Sequence, residues 1–171
     1  MDLEERVAAL ERRLAALEGT RPAATSPGDG DFWALEGLKQ HLASAGEAAE
    51  DGGVLFTGAV RLPTQERYEW QYGALTTDVL DEDGTDGGQI AESLAALGHA
   101  VRLRLLREIL GGRRTAAELA ELEGLGTTGQ IYHHLRQLTG AGWLHTTGRG
   151  RYEVPGARVV PLLVVLTAAS P

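Results

Sequence analysis

The residues best suited to chemistry lie between Thr127 and Val154, in the run TTGQIYHHLRQLTGAGWLHTTGRGRYEV. Placed at about 100° per residue, Ile131, Leu135 and Leu138 stack on one helix face at i, i+4 and i+7. Gly129, His133, Arg136 and Gln137 fall on the opposite face, with Gln130 at its edge and Tyr132 at the boundary. That outer face carries hydrogen-bonding groups and a cation but no carboxylate. Such a surface suits recognition rather than bond breaking, because it matches an acidic groove lined with base acceptors and phosphates. Arg136 can donate in a bidentate manner to guanine or hold a phosphate, Gln130 can read adenine or contact a phosphate, and His133 can donate to a base. Thr127 and Thr128 suit capping and phosphate contact, as does the Tyr132 phenol. His134 sits nearer the apolar stripe and reads as a packed structural histidine. Adjacent helical histidines diverge by about 100°, which argues against a shared metal ion.

Other chemistries find little support. The chain has no cysteine, which excludes disulfides and thiolate metal sites and fits a cytoplasmic protein. Lys39 is the only lysine, and Ser26, Ser44, Ser93 and Ser170 lie in no recognisable nucleophile motif. Asp81, Asp83, Thr85 and Glu92 take the spacing of a calcium loop, but Asp86 stands where that loop needs glycine. The reading is therefore of a non-enzyme without cofactor or metal. The apolar run Val159–Leu166, broken by Pro161, is too short to span a bilayer, and the charged first residues are unlike a signal peptide. No membrane partner is expected.

The net charge of −8 over 171 residues looks wrong for a DNA partner until it is divided. From Gly98 to Arg158 nine arginines face five glutamates, a balance of +4, whereas residues 1–97 carry −12. The basic part coincides with the helix described above. A pairing of acidic and basic halves is the plainer alternative.

The elements that position these residues follow from the periodicity. Leu3, Val7, Leu10, Leu14 and Leu17 form an a/d seam of little more than two heptads, read as a dimer zipper over residues 1–18. Residues 19–30 are a linker by composition. Residues 31–77 form a module: a helix capped by Asp31, then two alternating strands around Pro63–Glu66. Its aromatic residues Trp33, Phe56, Tyr68, Trp70 and Tyr72 are candidates for a small-molecule pocket, although a small domain using them as its own core is the stronger reading. Residues 78–88 read as an acidic linker. The helical period returns at Gln89, with Ile90, Leu94 and Leu97 as one stripe. A second helix begins near His99, and Thr115 with Glu118 forms a capping box for a short third. Gly140 and Gly142 end the outward-facing helix. Trp143 to Val154 reads as a hairpin turned at Gly148–Gly150, with Arg149 and Arg151 at a tip that can reach backbone phosphate or a narrow minor groove. The fold class expected is α+β, mainly α. It comprises a winged helix-turn-helix over residues 89–156, an N-terminal coiled-coil helix, the small helix/β-hairpin module and a closing helix over 157–171.

LAALGHAVRLRLLREIL, the short helix Ala116–Leu122, and His134–Leu138 before Ala141-Gly142-Trp143-Leu144 resemble the ArsR-like winged-helix transcriptional regulators of bacteria and archaea. The resemblance covers roughly residues 90–155. It implies a homodimeric regulator that binds double-stranded DNA and dimerises through flanking helices. Leu162 and Val165 are candidates for that contact, on a helix with Pro161 in its first turn. Many such regulators sense metals through cysteines, or through His and carboxylate ligands on the last helix. Residues 159–170 hold neither, so metal sensing is not carried over. A small-molecule effector would act through the first 85 residues. The competing expectation is a ligand-sensing or protein-docking winged-helix scaffold without direct DNA binding.

Overall fold

The structure, a computed structural model, describes Val7 and residues 32–81, 87–148 and 150–170. The chain divides into two compact units, Met1–His41 and Leu42–Pro171. Of the proposed zipper only Val7 is described; it is helical and exposed, and Leu3, Leu10, Leu14 and Leu17 lie outside the described residues. So does Arg149.

Helix α1 (Trp33–Ala45) leads through a 3-10 turn (Gly46–Ala49) to β1 (Gly53–Arg61) and β2 (Arg67–Leu75). The two strands pair antiparallel over their full length, from Gly53 opposite Leu75 to Arg61 opposite Arg67. A short α2 (Thr76–Leu80) occupies the start of the stretch expected to be an acidic linker, and α3 (Gly87–Leu97) begins within its end. Helices α4 (Ala100–Leu110), α5 (Ala116–Ala120) and α6 (Thr128–Gly140) follow, then the small pair β3 (His145–Thr146) and β4 (Tyr152–Glu153), and α7 (Gly156–Ala168).

One core serves the second unit. Leu105, Leu106 and Ile109 of α4, Leu119 of α5, and Ile131, Leu135 and Leu138 of α6 are buried together with Trp143, Leu144 and Val154 around the small hairpin. Alternating or 3.6-period burial of these side chains accounts for the elements themselves. In α3 only Ala96 and Leu97 are buried; Ile90 and Leu94 remain 47% and 53% exposed, so most of that predicted stripe is left uncovered.

Helix α7 starts five residues before Pro161, which therefore lies in the second turn rather than the first. Proline there removes one helical hydrogen bond. Burial of Val159, Val160 and Leu162, each at most 1% exposed, outweighs that loss. The same burial corrects the expectation for Leu162: a side chain held inside its own core cannot supply a dimer surface. Val165 is half-buried on the same helix.

The β1–β2 hairpin is part of this core. Leu62 belongs to the buried cluster, and Val60 and Tyr68, opposite each other in register, pack against it. Gly58 allows the approach: a Cβ there would meet Val160 Cγ1 at 2.6 Å. Gly156 in turn lies against the Tyr68 ring. Since Val160 is short, branched and buried, it cannot yield. Gly58→Ala is expected to cost about 1–3 kcal/mol by overpacking, read as a lower midpoint in thermal unfolding. An unchanged midpoint would show that the hairpin is free to move off α7.

Candidate nucleic-acid interface

The α5–turn–α6 unit is built from two reciprocal caps. The Thr115 hydroxyl accepts from Glu118 N–H, and the Glu118 carboxylate accepts from Thr115 N–H at 2.8 Å. That carboxylate also accepts from the Thr115 hydroxyl and the Arg114 N–H, and the bonds from Thr115, then that from Arg114, lower its pKa from the ordinary value. At α6 the Thr127 hydroxyl accepts from Gln130 N–H, while Gln130 Oε1 accepts from Thr127 N–H at 2.8 Å. Each box satisfies two helix-start donors. The intervening turn needs glycine at 126: its φ is +90°, and a Cβ would stand 2.4 Å from Gln130 Oε1. Arg104 of α4 braces this turn by donating to the Glu123 carbonyl at 2.7 Å.

With Ile131, Leu135 and Leu138 turned inward, Thr127, Thr128, Gly129, Gln130, Tyr132, His133 and Arg136 are all exposed. Arg136 makes no ion pair among the described residues. The predicted residues are thus brought to one surface, but three of them have other work, Thr127 as the cap already described. Gln130 Oε1 is occupied by the cap. Gln137 Oε1 accepts from Arg102 of α4 at 2.7 Å, and the same guanidinium donates to the Ala96 and Ala95 carbonyls that end α3. Arg102 therefore ties α3, α4 and α6 together. The T-x-x-Q spacing was a local signal for the Gln130 cap. Nothing local marks the Arg102–Gln137 bond, which joins residues 35 apart in sequence.

Behind this surface is a histidine cluster. His99 caps α4, its Nδ1 accepting from Val101 N–H at 3.2 Å, and its ring lies 4.7 Å from that of His134. His133 meets His134 edge-on at 5.7 Å. His134 Nδ1 is buried without a partner. Burial, followed by the charges of His99, Arg102 and His133, pushes the His134 pKa below its ordinary value; only the hydrogen bond with Gln137 opposes this. Among the described residues no group of three ligands able to hold a metal occurs.

The wing is anchored at its base. Trp143 Nε1 donates to the Ser93 carbonyl of α3 at 2.9 Å, and the Arg158 guanidinium lies 4.8 Å over the Trp143 ring. Arg151 is exposed and bridges to Thr115 in the loop before α5. The turn is closed by Arg151 N–H donating to the Gly148 carbonyl at 3.1 Å.

The aromatic candidates divide. Phe56, Tyr68, Trp70 and Tyr72 share one hairpin face, with Phe56 and Tyr72 rings 5.8 Å apart. Tyr68 is used against α7, whereas Trp70 and Tyr72 are 39% and 57% exposed. Trp33 belongs to the other unit and is also exposed. A cleft of about 370 Å³ lies between α3, α4 and α6, walled by Glu92, Ala95, Arg102, Gln137 and Gly140; none of the aromatic candidates lines it.

Residues 97–146 match the family model of a helix-turn-helix domain. No curated protein and no solved structure matches the chain. The matched residues span α4 to β3 and include the whole exposed face of α6. Among the described residues no helix is long and apolar enough to cross a membrane.

The histidine cluster sets a pH dependence. A depressed folded-state pKa means that the unfolded chain takes up the proton first. The stabilising contribution of neutral His134 is complete above the ordinary histidine value and is lost as pH falls through the depressed one. The thermal midpoint of the wild type should fall between about pH 7 and pH 5, and His134→Gln should flatten that fall. Superimposable profiles for the two proteins would contradict this assignment.

Proposed function

We propose that the chain is a homodimeric, DNA-binding transcriptional regulator whose α6 enters the major groove while Arg149 and Arg151 of the wing contact backbone or minor groove. The observation that carries this reading is the exposed, acid-free face of α6, with an unpaired Arg136 at its centre. The helix-turn-helix match over residues 97–146 supports it. Base reading is assigned to Arg136 and to His133, whose side chains are exposed on this face. Thr127, Thr128, Gly129 and Tyr132 are assigned to phosphates near the helix start. Gln130 and Gln137 act chiefly by fixing the helix, with their amide N–H groups left to face DNA.

Dimerisation is assigned to the exposed Ile90 and Leu94 of α3, to Val165 of α7, and to the Leu3–Leu17 seam. Symmetric pairing would place two copies of α6 about one helical turn apart, or a multiple of it, on a pseudo-palindromic site. Trp70 and Tyr72, exposed beside Phe56, favour the hairpin as the place where a small aromatic or apolar effector would act.

Fluorescence anisotropy with duplexes from the protein's own promoter region tests the reading. Arg136→Ala should weaken binding by about tenfold or more. If Arg136 holds a phosphate, the substitution should lower the salt slope by roughly one. Equal affinity and equal sequence preference in wild type and variant would favour a winged helix that docks protein instead.

A further inference from the structure

We propose that Arg114 is a positioning residue through which the β1–β2 hairpin sets the wing, so that the hairpin controls the strength of DNA binding. Arg114 is where the three parts meet. Its carbonyl accepts from Tyr152 N–H of β4 at 2.7 Å, and its own N–H donates to the Glu118 carboxylate at the start of α5. Its guanidinium donates to Glu153 of β4 at 3.0 Å and to Glu66 at the tip of the β1–β2 hairpin. The Arg114 side chain is 14% exposed and its partners Glu66 and Glu153 are 39% and 30% exposed, so these contacts are partly screened by solvent. Thr64 also donates to Glu66 at 2.7 Å, and a Cβ at Gly112 would stand 3.1 Å from the Thr64 methyl. The hairpin tip is thereby seated on the loop that carries Arg114.

The charge count makes this seat an adjustable one. Two carboxylates, one from the hairpin and one from the wing, share a single guanidinium. Glu66 is held ionised by Arg114, and the Arg114 guanidinium is likewise held charged by its two partners. Withdrawing the hairpin removes one of the two anions and frees half of a planar, bidentate donor set. Glu153 and the Tyr152 N–H bond respond directly, because both sit on the same residue. Glu66, like Glu153 of β4, lies outside the matched residues 97–146.

The inference rests on the DNA-binding reading, and a double-mutant cycle separates the two. Glu66→Gln keeps the size of the side chain and removes its charge; Arg151→Ala alters the wing. With DNA binding established for the wild type, Glu66→Gln is expected to weaken it. Its effect in the Arg151→Ala background is expected to differ by at least about fivefold from its effect alone. Additive losses, or a Glu66→Gln protein that binds like wild type, would overturn the proposal while leaving DNA binding intact. Hydrogen exchange on the free full-length chain reads the same link without DNA. Glu66→Gln should speed exchange at the Tyr152 and Thr147 amides by about tenfold or more, with the Leu135 amide of α6 unchanged as a check on the fold. Wing amides that exchange at the wild-type rate would overturn the proposal even if the wild type bound no DNA.

Discussion

Everything on the exposed face of α6 depends on what its other face is doing. Ile131, Leu135 and Leu138 are each fully buried, packed into a core built largely from Leu105, Leu106 and Ile109 of α4. Each such side chain contributes about 1.5–3 kcal/mol by leaving water. Three together are comparable with the whole net stability of an ordinary domain, about 5–15 kcal/mol. The helix therefore cannot roll about its axis, and Arg136 and His133 cannot turn inward. The polar fixtures act on position within that limit: Thr127 and Gln130 fix the first turn, and Arg102 holds Gln137 near the last.

The same core draws in elements from outside the helix-turn-helix. Helix α7 brings Val160 against Gly58, and the hairpin brings Leu62 and Tyr68 into contact with the buried cluster. A two-stranded hairpin is marginal alone, so its place on α7 explains why it persists. Toward the turn, Val60, Leu62 and Tyr68 are packed in or against the buried cluster. The far end of the hairpin leaves Trp70 and Tyr72 in solvent. Arg114 then gives the hairpin a polar link to the wing that apolar packing alone would not supply.

Much of this was legible from periodicity and capping. The i, i+4, i+7 stripe of α6 and the Thr115–Glu118 box are local patterns, and local patterns survive in the fold. The alternation of residues 54–72 likewise announced two strands. What escaped was non-local or competitive. Gln130 was read as a contact to base or phosphate, yet the nearby Thr127 N–H takes its oxygen. Gln137 lies on the outward arc of an ideal wheel, yet its long side chain reaches Arg102. Pro161 lies a turn deeper in α7 than expected because proline rules were weighed without the burial of Val159 and Val160. The Glu66–Arg114 pair joins residues 48 apart, and no spacing rule reaches that far.

The proposed function requires the acid-free face of α6, presented twice by a symmetric pair, to read DNA sequence. It is tested most directly by purifying the full-length protein with sheared genomic DNA from its own cells and sequencing what is retained. Enrichment of an inverted repeat whose half-sites lie about one helical turn apart, or a multiple of it, is expected. Retained fragments with the same sequence content as the input would contradict it.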